Sequence, residues 1–297
     1  SNPNDYDIGA MVSYEDEILK DNITVPAVTE EMIVEVPVTE KVIRKATAKN
    51  TNYLTVTVFD QGKETKYNTN AAFTKTVHYL HASNANTTNF FGQTFDKSTI
   101  KSITFVDNNN VPSDAFGSMD VSAGGNGSIM AWYYKASDYT DDNKLYDLYI
   151  GSSNGIVYAN KSSGNMFLGS SNLVSIDLKY FDTSAVTTMA GMFQGCQKLL
   201  KLDLSNFDTS NVTDMAGMFR DCSSLISLDL SSFNTSKVTD MNYMFRDCSS
   251  LVTMDLSNFD TSNVTDMSSM FYACSSLNSI NLLSFDTSNV TSMDSMF

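Results

Sequence analysis

One pattern of apolar and polar positions recurs every 26 residues through the C-terminal half of the chain. The phenylalanines at this interval are Phe181, Phe207, Phe233, Phe259 and Phe285. The four cysteines keep the same interval, at Cys196, Cys222, Cys248 and Cys274. A Met-Phe pair also recurs, from Met166-Phe167 through to Met296-Phe297. A period held this strictly predicts repeating structural units that bury their apolar side chains against one another.

One repeat, residues 225–248, shows what each unit should contain. Leu225, Leu228 and Leu230 form the L-x-x-L-x-L pattern that is typical of the strand of a leucine-rich repeat. After a hydroxyl-rich turn, apolar residues follow at helical steps of three and four, namely Val238, Met241, Met244, Phe245 and Cys248. We therefore expect a short strand and a short helix or 3₁₀ segment in each repeat, with Thr239 as the N-cap.

A single repeat buries too little apolar surface to offset the entropy lost when its backbone is ordered. Each repeat therefore needs neighbours, and the first and last repeats need caps. The chain stops at Phe297 in mid-repeat without a polar cap, so we expect the natural protein to continue beyond it.

Alternation of apolar and polar residues predicts strands earlier in the chain. Residues 23–45 alternate Val or Ile with Glu, Thr or Lys, and their two prolines favour edge strands. Residues 53–59 predict another strand, which a turn at 60–62 pairs with residues 63–67. Residues 71–81 have apolar residues at helical spacing and predict a helix.

A second group of strand patterns lies immediately before the repeats. We expect a strand at 100–106 and an antiparallel meander formed by 129–134, 145–150 and 156–158. This segment runs directly into the first, imperfect repeat, so its expected role is to cap the N-terminal end of the repeats.

These patterns together predict an α+β protein with four parts. A β-rich N-terminal region is followed by a leucine-rich-repeat-like solenoid, in which each coil has a short strand of a parallel sheet and a short helix. The predicted parts are a flexible lead-in at 1–22, a β-rich domain of unknown type with one helix at 23–91, a capping β-meander at 92–165, and the solenoid at 166–297, truncated at its C-terminus.

The net charge of −15 argues against nucleic acid and anionic membrane surfaces as partners. No apolar run is long enough to span a bilayer. The cysteines occupy one position in successive repeats, which favours a row of buried free thiols, with a strained disulfide as the alternative.

Two places contain residues that metals prefer, although we predict no metal and no cofactor. His78 and His81 have the spacing of a helical ligand pair, but no third ligand accompanies them. Residues 138–143 hold three aspartates and an asparagine, but their spacing does not match an EF-hand loop. A solvated histidine pair and a solvated acidic loop are the expected alternatives.

Two surfaces of the repeats are candidates for binding. The strand face presents small polar residues and a row of aspartates, has no aromatic platform for a sugar ring, and is expected to be solvated. The helical side differs from repeat to repeat and carries residue types that are enriched in binding hot spots. The candidate ligand-binding residues there are Arg220, Tyr243, Arg246 and Tyr272. Local pairing of the arginines with Asp221 and Asp247 is the alternative.

The repeat C-S-S-L-x-x-L-D-L-S-x-F-D-T-S-x-V-T-D-M-x-x-M-F resembles the BspA-type leucine-rich surface proteins of bacteria. More narrowly, it resembles a family of 26-residue, lipoprotein-associated surface repeats of mycoplasmas. The likeness covers about residues 165–297, with departures at Ser170 and Asn281. It implies a secreted or cell-surface protein of a host-associated bacterium, in a group in which some members are adhesins for host matrix glycoproteins.

Three functions follow as hypotheses. The first is an extracellular protein-binding or adhesion module that contacts host or bacterial surface proteins. The second is a structural spacer or stalk that displays another domain and has no ligand of its own. An enzyme in residues 1–165 is the third, but no phosphate-binding glycine loop or Cys–His pair occurs there, so we predict that the protein is not an enzyme.

Overall fold

The computed structural model describes residues 8–14, 17–25, 53–60, 63–70, 78–82 and 89–297. By its backbone contacts the chain divides into two units, Ser1–Thr76 and Val77–Phe297. The described residues of the first unit are β-strands, and those of the second are mainly short β-strands and turns.

The first unit contains a four-stranded antiparallel sheet with strand order β2-β1-β3-β4. Its strands are β1 (Ile8–Tyr14), β2 (Glu17–Val25), β3 (Tyr53–Asp60) and β4 (Lys63–Asn70). The β3–β4 hairpin confirms the strand predicted at 53–59 and its pairing with 63–67. The lead-in predicted at residues 1–22 contains β1 and much of β2, two strands that its sequence pattern did not indicate. The edge strands predicted beyond residue 25 lie outside the described residues.

The second unit opens with a hairpin of β5 (Asn89–Phe90) and β6 (Gln93–Thr94). Its two-residue turn has positive φ at Phe91 (48°) and Gly92 (82°), as a tight hairpin requires. The Asp96 side chain then accepts a hydrogen bond from the Ser98 backbone N–H and caps a single 3₁₀ turn, Lys97–Thr99.

A five-stranded mixed sheet precedes the repeats and includes a strand of the first repeat. Its order is β12-β7-β10-β9-β8. The strands are β7 (Ile100–Val106), β8 (Gly117–Asp120), β9 (Ile129–Lys135), β10 (Tyr146–Ser152) and β12 (Ser175–Asp177). Strands β8, β9 and β10 pair antiparallel, whereas β7 pairs parallel with both β10 and β12. Since β12 lies in the first repeat, backbone hydrogen bonds join this sheet directly to the repeats.

The predicted meander is correct for its first two strands and wrong for the third. Strands β9 and β10 form the expected antiparallel pair. The third segment, β11 (Val157–Tyr158), instead pairs parallel with β13 (Phe181–Asp182). The two strands are separated by more than twenty residues in the sequence, so the pattern around residues 156–158 does not indicate which strand pairs with them.

The helix predicted at 71–81 is wrong where the structure describes it, from residue 78 onward. Tyr79 forms a parallel bridge with Tyr158, and the fully buried Leu80 forms an antiparallel bridge with Ser122. Residues 71–77 lie outside the described part of the chain. Helical spacing over so short a run does not distinguish a helix from a buried extended segment. Here the hydrogen bonds to distant segments hold residues 79 and 80 in an extended conformation.

Backbone hydrogen bonds that recur at the same place in each repeat join consecutive repeats. The backbone N–H groups of Met189, Met215 and Met241 donate to the carbonyls of Asp214, Asp240 and Asp266. The aromatic rings of the Met-Phe pairs stack in a row, with centroids 5.8, 5.6 and 5.5 Å apart at the steps that link Phe193, Phe219, Phe245 and Phe271. The predicted burial of the Leu, Met, Phe and Cys positions is confirmed.

The predicted α+β leucine-rich-repeat solenoid is nevertheless wrong. Across the described residues there is no α-helix, and the repeats share no continuous parallel sheet. Only β14 (Thr253–Asp255) and β15 (Ser279–Asn281) pair as strands between two later repeats. The described part of the chain is therefore nearly all β and turn.

Residues with positive φ explain why the helices are missing. In the repeat at 225–248, Tyr243 has φ +56° and Asp247 has φ +61°, and a right-handed helix cannot pass through either. The backbone forms successive turns instead, in which Cys248 N–H donates to Phe245 O. Thr239 caps no helix, because its hydroxyl donates to the carbonyl of Thr213 in the preceding repeat.

The repeat position of Asp247, which also has positive φ, allows a prediction about stability. Ala273 has φ +59°, whereas Gly195 occupies the equivalent position with φ +74°. We expect Ala273→Gly to raise the free energy of unfolding by about 0.5–1 kcal/mol, because relief of left-handed strain outweighs the extra chain entropy of glycine. The reverse change, Gly195→Ala, should destabilise the protein. Denaturant unfolding of both variants tests this, and a loss of stability in Ala273→Gly would contradict it.

Candidate functional site

The four candidate ligand-binding residues lie on the turns that follow the buried methionines of successive repeats. Arg220, Arg246 and Tyr272 occupy one repeat position, 26 residues apart. Tyr243 lies three residues before Arg246. Each turn is held in place by the buried Met-Phe pair, which packs in the core, and by backbone hydrogen bonds to the next repeat.

The structure brings these four side chains together as an alternating series of cations and rings, here called the Arg/Tyr ladder. The Arg220 guanidinium carbon lies 5.5 Å from the Tyr243 ring centroid. The guanidinium carbon of Arg246 lies 5.3 Å from the same centroid and 4.8 Å from that of Tyr272. All three distances are within the range of favourable cation–π interaction. The ladder thus spans three repeats.

Each arginine of the ladder also pairs with the aspartate that follows it. Arg246 Nε donates to Asp247 Oδ2 at 3.1 Å. Arg220 Nε lies 3.4 Å from Asp221 Oδ2, within ion-pair distance but without hydrogen-bond geometry. The arginines therefore pair with their neighbouring aspartates, as the alternative prediction expected, and they also stack on the tyrosine rings.

Pairing at Nε leaves most of the donors of the ladder unused. In the part of the chain that the structure describes, the terminal guanidinium nitrogens of Arg220 and Arg246 make no hydrogen bond to protein. The hydroxyls of Tyr243 and Tyr272 make none there either. The two arginine side chains are 36% and 30% exposed and Tyr272 is 42% exposed, so water or a partner can reach these groups.

Tyr243 adopts a backbone conformation that a bulky residue rarely takes. In the two preceding repeats the same position is Gly191 and Gly217, with φ +61° and +58°, and in the two following repeats it is Ser269 and Ser295, with φ +53° and +54°. A side chain in the left-handed region costs roughly 1–2 kcal/mol relative to glycine. The left-handed turn is therefore common to the repeats, and Tyr243 is distinguished by its ring, which lies between two guanidinium groups.

The aspartates of the strand face have a structural task. Asp203, Asp229 and Asp255 are exposed, and each carboxylate accepts a hydrogen bond from the backbone N–H two residues later. These hydrogen bonds, from Ser205 in the case of Asp203, hold the pKa of each carboxyl below its usual value. These carboxylates therefore stabilise the turns that follow the strand positions, through hydrogen bonds to the backbone.

The residues considered as metal ligands are not brought together. His81 Nδ1 lies 2.9 Å from the Ala82 carbonyl oxygen, and its ring packs close to Gly92. Asp138 pairs with Lys101 at 2.8 Å. Among the described residues, no group of three or more His, Cys, Asp or Glu side chains is arranged to hold a metal ion.

The four cysteines are free thiols, as predicted, and three of them are fully buried. Each thiol donates to the carbonyl of a phenylalanine 29 residues earlier, at sulfur–oxygen distances of 3.4, 3.2, 3.1 and 3.0 Å from Cys196 to Cys274. Burial raises the pKa of every one of them. They link the repeats and are unsuited to act as nucleophiles.

Sequence reasoning missed a partly exposed aromatic cluster at one end of the five-stranded sheet. Its members are Phe95, Phe116, Tyr133, Tyr139 and Tyr146. The density of aromatic residues between 90 and 149 was the available signal, but the strand pairing that gathers them is not visible in the sequence.

The repeats match a family of unknown function. A family model described as "Mycoplasma protein of unknown function, DUF285" matches residues 161–254 and 227–297. No curated protein and no solved structure matches the chain. The matched residues are those of the repeats, so similarity to this family extends over the repeats and carries no assigned activity. The likeness to BspA-type surface proteins stays a prediction.

The described ranges contain no helix with the length and apolar character needed to cross a membrane.

Proposed function

We propose that the protein is an extracellular binding module of a bacterial surface and that the Arg/Tyr ladder is its contact site for a protein partner. The observation that carries the proposal is the stacking of the ladder, in which the Tyr243 ring lies between the guanidinium groups of Arg220 and Arg246. Arginine and tyrosine are the residue types most often found in binding hot spots. The placement at the cell surface rests on the resemblance of the repeats to bacterial surface proteins.

The ladder is suited to binding because its side chains are already ordered. Stacking between rings and pairing at Nε restrict the rotamers of Arg246 before any partner arrives. Ordering a free arginine on binding would cost roughly 0.5–1.5 kcal/mol, and this ladder has met much of that cost during folding. The unused terminal nitrogens and tyrosyl hydroxyls then provide directed donors at a surface whose flat rings contribute apolar contact area.

The composition of the ladder favours a protein partner over nucleic acid or a lipid surface. Its two cationic groups are balanced by Asp221 and Asp247, and the whole chain carries a net charge of −15. A polyanion would be repelled by that charge. Tyrosine and arginine are both enriched in protein–protein interfaces.

The expected result is that a four-residue ladder variant loses binding to a host or bacterial surface protein. The variant carries Arg220→Ala, Tyr243→Gly, Arg246→Ala and Tyr272→Ala; glycine is chosen at 243 because it relieves the strain there. Surface plasmon resonance of the full chain against matrix and plasma glycoproteins, at physiological salt, should show a loss of at least about 100-fold in affinity.

Thermal unfolding of the same variant serves as the control for folding. Unchanged affinity in a folded ladder variant would refute the contact site. If no glycoprotein bound the intact chain, the alternative of a spacer without a ligand would replace the proposal.

A further inference from the structure

The aromatic cluster at the end of strands β8, β9 and β10 surrounds the ammonium group of Lys135 with ring faces and is here called the aromatic cage. Tyr146 is its centre, with ring centroids 5.9 Å from Phe116, 5.1 Å from Tyr133 and 5.6 Å from Tyr139. Phe95 closes the cage from the β6 side, 5.0 Å from Tyr133. Phe116 is 54% exposed, an unusual fraction for a large apolar ring that contacts several others.

The backbone is shaped to bring these rings together. Gly117 pairs with Tyr133 across the β8–β9 ladder, and a Cβ atom at Gly117 would collide with the Tyr133 hydroxyl. Only glycine permits this close approach. The backbone N–H of Phe116 donates to the Tyr133 carbonyl at 3.0 Å, which fixes the exposed ring beside the cage.

The cage already contains a cation. The ammonium nitrogen of Lys135 lies 4.9 Å from the Phe116 centroid and 4.3 Å from the Tyr139 centroid. Lys135 is exposed, and within the described ranges it has no carboxylate within ion-pair distance. Among the described residues, the contacts of its ammonium group are therefore with ring faces, at distances typical of cation–π interaction.

The charges around the cage favour the same kind of ligand. Tyr139 lies in the acidic loop at 138–143, in which Asp141 and Asp142 are exposed and make no ion pair among the described residues. The net charge of −15 also draws cations toward the surface.

Two other ligand classes fit less well. A metal such as Ca²⁺ requires converging oxygen ligands, and the cage offers ring faces. A sugar ring needs a free flat platform, but Lys135 lies over Phe116 and the neighbouring rings of Tyr133 and Tyr146 meet edge to face. An organic cation satisfies both the rings and the surrounding charge.

We propose that this cage binds quaternary ammonium groups and that Lys135 is a built-in competitor for the same space. A trimethylammonium group is weakly hydrated and presents methyl groups to several rings at once, whereas the primary ammonium of lysine is strongly hydrated. The inference goes beyond the proposed function and does not depend on the Arg/Tyr ladder.

The test is a titration of the full chain with tetramethylammonium chloride, followed by aromatic ¹H–¹³C NMR shifts. The intact protein should bind weakly and saturably, and Lys135→Ala should tighten binding by about 3- to 10-fold because the competitor is gone. Phe116→Ala and Tyr139→Ala, each in the Lys135→Ala background, should weaken it by a similar factor. Lys144→Ala, an exposed lysine of the neighbouring loop, is the charge-matched control and should change nothing.

Two results would overturn the proposal. One is the absence of saturable shifts in Lys135→Ala, while its spectrum still shows a folded chain. The other is equal binding of the neutral isostere 3,3-dimethyl-1-butanol, which would reduce the effect to apolar contact. Because quaternary ammonium occurs in soluble choline compounds and in lipid headgroups, choline, phosphocholine and phosphatidylcholine vesicles form separate arms. Binding of choline with no binding to vesicles supports a soluble ligand, and binding to both supports a headgroup.

Discussion

Replacing Phe245 with alanine should lower the free energy of unfolding by about 3–5 kcal/mol, the usual loss for a fully buried phenylalanine. Phe245 is fully buried, and its ring is stacked between Phe219 at 5.6 Å and Phe271 at 5.5 Å. Truncation would leave a cavity and end two stacking contacts at once. Because each repeat is stabilised by its neighbours, the loss should affect the repeats on both sides.

The chain contains a matched control for this change. Phe297 occupies the same repeat position and stacks on Phe271 at 5.4 Å, but it is 66% exposed. Phe297→Ala should therefore cost less than about 1 kcal/mol. Urea denaturation of both variants separates the two cases, and equal losses would show that burial of the ring does not determine its contribution to stability.

Stability should fall steeply as the pH rises above about 8.5, the ordinary pKa of a cysteine in an unfolded chain. Burial raises the pKa of Cys196 to about 12 and that of Cys274 to about 11, and it places Cys222 and Cys248 well above the usual value. The folded protein therefore keeps protons that the unfolded chain releases. The stability that the thiols contribute is complete below pH 8.5 and is lost as the pH rises toward the folded pKa values.

One buried lysine acts in the opposite direction. Lys97 is fully buried, its ammonium group donates to the Asn165 carbonyl at 2.9 Å, and burial lowers its pKa to about 8. Its folded pKa lies below the unfolded value of about 10.4, so this group adds stability as the pH rises between the two values. One lysine offsets about one thiol over this range.

The net expectation is a loss of about 4 kcal/mol between pH 8 and pH 10, since each fully buried thiol contributes about 1.4 kcal/mol per pH unit above 8.5. Cys274 is partly exposed and should contribute less. Denaturant unfolding at the two pH values measures the loss. The double variant Cys222→Ala, Cys248→Ala should be less stable at pH 8 but should lose far less on going to pH 10. Stability that stays level or rises in the intact protein would contradict this account.

The buried face of the repeats was predictable because its signal is repeated. Leu, Met, Phe and Cys recur at one period, and errors in reading one repeat are corrected by the others. The helices were not predictable from the same signal, because apolar spacing does not report the sign of φ. Some of the left-handed positions are glycines, such as Gly191 and Gly195, and these were the available indication of positive φ. In a later repeat the equivalent residues are Tyr243 and Asp247, which give no such indication.

Of the two candidate sites, the one within the repeats was predictable from the sequence and the one formed by strand pairing was not. The ladder residues were identified because they share a side of the repeat and differ from their equivalents, but their stacking order required the structure. The aromatic cage was missed because its members span residues 95 to 146 and meet only through strand pairing. Contacts between distant segments leave no periodic trace in a single sequence.

The most direct test of the central claim compares two variants of equal charge change by surface plasmon resonance with the glycoprotein that the intact chain binds. One variant carries Arg220→Ala and Arg246→Ala in the ladder, and the other carries Lys201→Ala and Lys237→Ala on exposed positions away from it. If the ladder is the contact site, the arginine variant should lose at least about 10-fold in affinity while the lysine variant stays within about 2-fold of the intact chain. Equal losses in both would reduce the effect to overall charge, and no loss in the arginine variant would contradict the account.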